Sequence, residues 1–136
     1  LEVIQGAAEK FKTSPVSVMN FVEGTRFTPE KHEKQRSPYR HLLKPKPGGM
    51  TFLLSTMRDQ IHSVLDVTIA YPGDTPTMWG FLCGKPKEIR VRVKAIPLDD
   101  QLVGDFGKDK VFRRRFIGWQ KALWAEKDQE MDELLG

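Results

Sequence analysis

A carboxylate, a glycine, a hydroxyl and a guanidinium follow one another at Glu23-Gly24-Thr25-Arg26, within the stretch Phe21–Thr28. Glycine at that place lets the backbone turn sharply and approach a ligand closely. Arg26 offers a planar fork of donors suited to a phosphate, and Thr25 adds a hydroxyl donor beside it. Glu23 would repel a phosphate, so its expected work is to orient Arg26 or the loop. The same residues also fit a plainer object, a strand end with an exposed Glu23–Arg26 ion pair. Downstream, Lys44-Pro45-Lys46-Pro47-Gly48-Gly49 combines two cations with two glycines, and its plain reading is a turn leading into a helix.

The remaining chemistry-bearing residues form no comparable constellation. His62 and Asp66 would share a face if helical and pair weakly there. His32 and His41 lie in polar contexts without partners at metal-ligand spacing, and no metal or other cofactor is implied. The single cysteine, Cys83, excludes an internal disulfide framework and a cysteine-based zinc site, and fits a reducing compartment. Arg113-Arg114-Arg115, with Lys108 and Lys110, could be drawn as a nucleic-acid patch. Three successive helical positions point in different directions, however, so a solvated helix face is expected and no nucleic acid.

The elements that must position these residues alternate, which argues for an α/β class. Residues 1–12 carry an amphipathic helical pattern ended by Thr13-Ser14-Pro15. Val16 to Val22 is β-rich and almost continuously apolar, as in a strand buried on both faces, and it places Glu23–Arg26 at a strand's C-terminal end. Thr28-Pro29-Glu30-Lys31 starts a short helix, stopped by Ser37-Pro38, and the polar segment His32–Arg40 reads as a surface segment of high mobility. Met50–Met57 predicts a helix after a loop over 42–49. Val67–Tyr71 predicts a second strand, Thr77–Leu82 a short helix, and Ile89–Lys94 a third strand, half buried with one basic face. Asp109 would cap a final helix to about Leu134, with Val111, Phe112, Phe116, Trp119, Leu123 and Trp124 on its apolar side. Trp119 and Trp124 are expected in the core and not as a lipid anchor.

With 136 residues, 39% hydrophobic and 29% charged, the chain has the size and composition of one globular domain. Its net charge of +4 favours anionic partners, phosphates and anionic lipid surfaces among them, without choosing between these. No apolar run reaches the ~18 residues of a membrane helix. The chain opens on Leu1, inside the apolar stripe Val3, Ile4, Ala7, Ala8 and Phe11, which predicts a fragment of a longer protein.

Phe21-Val22-Glu23-Gly24-Thr25-Arg26 resembles the Phe-Pro-Glu-Gly-Thr-Arg block of glycerolipid acyltransferases of the lysophosphatidic acid acyltransferase (PlsC) family. The likeness extends through Asn20, Phe27-Thr28, Glu30-Lys31-His32 and Leu42-Leu43-Lys44-Pro45-Lys46-Pro47-Gly48-Gly49, where it resembles the YihG-type bacterial branch, and through Val67–Pro72 into the C-terminal helix. Val22 stands where proline is usual, and the family's Asn-His-x4-Asp block is absent. The resemblance implies the C-terminal part of an α/β acyltransferase sandwich, with about three strands flanked by helices. It implies transfer of a fatty acyl group from acyl-CoA or acyl carrier protein to a lysophospholipid such as 1-acylglycerol 3-phosphate. Glu23, Gly24, Thr25 and Arg26 would then help bind the acceptor phosphate, and Lys44, Pro45, Lys46, Gly48 and Gly49 would form a substrate-proximal loop. The base and its aspartate would lie upstream, so the 136 residues alone are expected to be inactive. The parent protein is expected on the cytoplasmic side of the inner membrane. A non-catalytic basic module for nucleic acid or anionic lipid is the alternative.

Overall fold

A computed structural model describes residues 17–73 and 76–136, and the predicted N-terminal helix over 1–12 lies outside them. Six elements follow in order: α1 (Pro29–Gln35), α2 (Pro47–Thr56), β1 (Ser63–Ala70), α3 (Met78–Leu82), β2 (Arg90–Pro97) and α4 (Lys110–Leu135).

Local chemistry sets most of their ends. Thr28 Oγ1 accepts the Lys31 amide at the start of α1, Pro29 takes the first helical position, and Arg36 closes the helix in the left-handed region at φ 48°. Thr77 caps α3 through the Gly80 amide at 3.1 Å. Asp109 accepts from Val111 and Phe112 at 2.9 and 3.0 Å and so starts α4. The glycine-rich loop predicted over 42–49 is shorter than expected, because Pro47 opens α2 and Gly48-Gly49 form its first turn.

The strands β1 and β2 pair antiparallel, with Asp66 opposite Lys94, Val67 opposite Val93 and Thr68 opposite Arg92. Among the described residues these are the only two strands that pair. The first of the three predicted strands, expected over Val16–Val22, does not form across 17–22, where Val18, Met19 and Phe21 are exposed. An apolar run becomes a central strand only when neighbours hydrogen-bond both of its edges, and no described strand lies alongside this one.

Helix α4 spans the molecule. Its N-terminal half supplies Phe112 and Phe116 to a core with Met50, Leu54 and Leu102, flanked by Val22, Ile61, Val64, Ile96, Phe106 and Trp119. Phe116 is fully buried and meets Phe106 edge-on, with ring centroids 6.3 Å apart. Gly104 leaves room for this packing, since a methyl group there would stand 2.7 Å from the Phe112 ring. Val111, expected on the apolar side, is exposed, whereas Gln120 and Lys127 are buried on it.

The C-terminal half of α4 carries acidic residues to two basic surfaces. Arg92 pairs with Glu133 at 2.7 Å, Lys94 pairs with Glu126, and Arg90 donates to the Leu134 carbonyl at 2.7 Å. The basic face of β2 is therefore the inward one, and Val91 and Val93, with Leu65, Val67 and Ile69 of β1, face outward, the reverse of the usual assignment; Ile96, at the far end of β2, reaches the core from the inward face. On its other side α4 captures the segment predicted to be mobile. Asp128 accepts the Arg40 and His41 amides at 2.7 and 2.8 Å, and Asp132 holds both of their side chains. Tyr39 is buried there, with its hydroxyl 3.4 Å from the Lys121 carbonyl.

Candidate functional site

Around Glu23–Arg26 the chain is shaped by a turn. The Gly24 amide donates to the Phe21 carbonyl at 2.9 Å, and Gly24 itself sits at φ 70°, a region that side chains other than glycine's enter at a cost. The turn throws the residues on either side of the glycine in opposite directions. Glu23 goes inward. Thr25 and Arg26 stay exposed.

Glu23 is half buried beneath the loop, where burial pushes its carboxyl above the usual carboxylate range; the Leu43 amide, the Trp124 indole and the Lys127 ammonium act the opposite way. The Trp124 Nε1 is itself buried and closes no hydrogen bond of ordinary geometry. Lys127 is held from behind by Asp66 at 2.5 Å and by the Val67 carbonyl at 3.0 Å, and it lies 5.7 Å from the centre of the Trp124 ring. Glu23 thus points at the body of the molecule, and the simple surface ion pair with Arg26 is not what forms.

The second predicted cluster is brought beside the first. The Lys46 amide donates to the Val22 carbonyl at 2.9 Å, tying the two loops backbone to backbone. The Lys46 side chain runs across Gly24, with Nζ 3.3 Å from where a Cβ would stand. Lys46 is also the N-cap residue of α2, a helix start without a side-chain cap, followed by exposed Gly48 and Gly49. The first amides of a helix have no partner within it and carry partial positive charge. Gly49 faces the side chain of Asn20, 3.7 Å from Oδ1 to a notional Cβ. Pro45 is half buried, and Lys44 is exposed with its amide on Gln35 Oε1 at 3.2 Å.

Lys31 is the residue that motif reasoning missed. Its Nζ donates to Thr25 Oγ1 at 2.7 Å and to the Arg26 carbonyl at 3.3 Å. The signal was available in part, because a helix opening at Pro29 carries position 31 on its first turn, close to the loop before it. The arrangement therefore sets Lys46 against Gly24 and Lys31 against Thr25 and Arg26, next to an uncapped helix start. Cations and open amides in that number suit an oxyanion with several acceptor atoms.

The other candidates are used elsewhere. His62 precedes β1, and Asp66 lies within it, so the two do not share a helix face; Asp66 is occupied by Lys127. His32 Nε2 meets the Tyr39 carbonyl at 2.5 Å, and His41 meets Asp132 at 2.8 Å. Arg113 donates to the Phe106 and Gly107 carbonyls at 2.8 and 2.6 Å, which takes it out of any continuous basic patch. Among the described residues no group of three or more His, Cys, Asp or Glu is placed to hold a metal ion, and no helix is long and apolar enough to cross a membrane.

Comparison with known proteins gives a consistent result. No protein-family model matches the chain, and no solved structure does. The 2-acyl-1-lysophosphatidylinositol acyltransferase of Saccharomyces cerevisiae is 26% identical over 87% of the chain and 32% of its own length. The 1-acyl-sn-glycerol-3-phosphate acyltransferase gamma of Mus musculus is 30% identical over 82% of the chain and 30% of its own length. Lysocardiolipin acyltransferase 1 of Danio rerio is 30% identical over 86% of the chain and 31% of its own length. The chain spans about a third of the length of these curated relatives. Matched across more than four fifths of its residues by such enzymes, the chain belongs to the lysophosphatidic acid acyltransferase family of glycerolipid acyltransferases.

Proposed function

We propose that this chain supplies the acceptor-binding part of a glycerolipid acyltransferase, with Gly24, Thr25, Arg26, Lys31 and Lys46 and the start of α2 holding the phosphate of a lysophospholipid such as 1-acylglycerol 3-phosphate. Glu23 is a positioning residue in this reading. Its carboxylate turns toward Leu43, Trp124 and Lys127, which anchors the turn while leaving the phosphate side to cations. The observation that carries the reading is the convergence of Lys31 and Lys46 on the Gly24–Arg26 loop at an uncapped helix start. The family assignment supplies the rest.

In the reaction so inferred, the acceptor hydroxyl loses its proton to a base and its oxygen bonds to the acyl carbonyl carbon. The carbon–sulfur bond of an acyl-CoA or acyl carrier protein thioester breaks, and the thiol leaves with a proton. The base is the histidine of the family's Asn-His-x4-Asp block, supplied by protein outside these 136 residues. Those residues form the C-terminal part of the α/β acyltransferase domain and transfer no acyl group alone. Because the acceptor is a bilayer lipid, the whole protein works at a membrane surface, on the cytoplasmic side of the cell membrane. Fixing the phosphate fixes the hydroxyl, which is the main contribution such a site can make to rate.

Calorimetric titration of a short-chain 1-acylglycerol 3-phosphate tests this. A charged hydrogen bond is worth roughly 1.5–3 kcal/mol, so Arg26→Ala is expected to weaken binding about 10- to 100-fold. Lys46→Ala should weaken it less, since a lysine contributes a point charge and no bidentate fork. Unchanged affinity in both variants would remove the acceptor site from this loop.

A further inference from the structure

Between the two strands, α3 is built unlike the other helices. Met78, Trp79, Phe81 and Leu82 are 69, 76, 47 and 67% exposed. A helix on a folded protein normally buries one apolar stripe and turns its polar side to water. Here the buried residue is Gly80, and a methyl group added to it would stand 3.1 Å from the Lys85 side chain. The element attaches through its smallest residue and presents its four largest to the outside.

From Pro76 to Lys87 the chain carries one sign of charge. Lys85 and Lys87 follow the helix directly, both exposed, and no carboxylate occurs from Pro76 to Lys87. The next acid, Glu88, is taken by Arg90 at 2.8 Å. An apolar patch flanked by lysines that pair with no carboxylate among the described residues complements a surface that is anionic on top and hydrocarbon beneath. Tryptophan favours that boundary, because its ring is apolar and its N–H is polar. Lysine reaches past the boundary to keep its ammonium among headgroups.

We propose that α3, with Lys85 and Lys87, is the tip by which this protein enters the surface layer of an anionic lipid bilayer. Met78, Trp79, Phe81 and Leu82 sink to the acyl boundary, and the two lysines remain with the phosphates. The inference requires neither a phosphate site at Arg26 nor acyl transfer, so it stands or falls separately from the function proposed above.

The experiment uses vesicles of phosphatidylcholine with about one third phosphatidylglycerol, their acyl chains brominated to quench nearby tryptophan, and vesicles of phosphatidylcholine alone. Trp79 is the exposed tryptophan; Trp119 is half buried and Trp124 buried. Quenching is expected in the original protein and lost in Trp79→Phe, which should still co-sediment with the vesicles. Lys85→Gln and Lys87→Gln should each lower affinity for the anionic vesicles about five-fold, the equivalent of about 1 kcal/mol per lysine near such a surface. Vesicle binding without quenching of Trp79 would overturn the proposal, as would equal affinity for the uncharged vesicles. So would a Trp79→Ala/Leu82→Ala variant that keeps its vesicle affinity but loses self-association in solution, because the tip would then be a contact between copies of the chain.

Discussion

Replacing Asp66 with alanine is expected to destabilise the fold by about 3 kcal/mol, and the reason can be read from the Lys127 ammonium. The two side chains meet at 2.5 Å and are 12 and 9% exposed, so both charges have left most of their water. Removing one partner of such a pair strands the other, at a cost of roughly 3–5 kcal/mol. Lys127 would keep its bond to the Val67 carbonyl at 3.0 Å and its place against the Trp124 ring, which puts the expectation at the lower end of that range. Against a total stability of roughly 5–15 kcal/mol for a domain, the loss is large. Urea unfolding followed by circular dichroism measures it as a lower midpoint with an unchanged slope. Lys127→Met should be far milder, because a flexible apolar chain fills the same slot and Asp66 still faces Lys94 across the strands. Asp66→Ala combined with Lys127→Met should recover much of the loss, giving a coupling on the order of 2 kcal/mol. An Asp66→Ala protein within about 1 kcal/mol of the original would refute the reasoning, since a solvated surface pair contributes no more than that.

Two further outcomes follow from the loop. Gly24→Ala must hold a side chain at φ 70°, which costs about 1–2 kcal/mol, and a melting temperature unchanged within error would show that the turn relaxes freely. The contact with Lys46 Nζ adds little, because the end of a flexible chain can move. Glu23 makes the pH dependence of stability diagnostic. Burial raises its folded-state value, so the folded protein binds more protons than the unfolded chain once pH passes the ordinary glutamate range. Stability therefore falls as pH rises through that window, down to a constant penalty above the folded value. Glu23→Gln should remove this slope, so that the difference in stability between the two proteins shifts toward the variant as pH climbs from about 4 to neutrality. A difference independent of pH across that range would mean that the carboxylate is not desolvated.

Much of the local structure was legible from residue order. Pro29 behind Thr28, Thr77 before Met78, and Asp109 before the aromatic stripe each satisfy the amides at a helix start through the chain's own neighbours, so the caps appear where the letters put them. The alternation in Ile89–Lys94 announced a strand with two unlike faces, and Arg90–Pro97 is that strand. The pairing of the Glu23–Arg26 turn with Lys44–Gly49 was implied only by the family resemblance, and the Lys46–Val22 backbone bond is a tertiary fact.

Three features lay beyond the letters, and one physical reason covers them. Period-two alternation separates the faces of a strand without saying which is inside, because that depends on what packs against it. Here the acids of α4 drew Arg92 and Lys94 of β2 inward. The polar segment ending at Arg40 looked free because its partners, Asp128 and Asp132, stand some ninety positions away. Nothing in residue order sets Lys127 apart from the other lysines of α4; β1 does so by placing Asp66 against it. Order along the chain therefore determined the caps, the element types and the composition of the loop Glu23–Arg26. Only the fold decided which charges are buried, which apolar residues are left outside, and that Lys31 completes the cationic rim of that loop, since each of these is set by distance in space and not by distance in sequence.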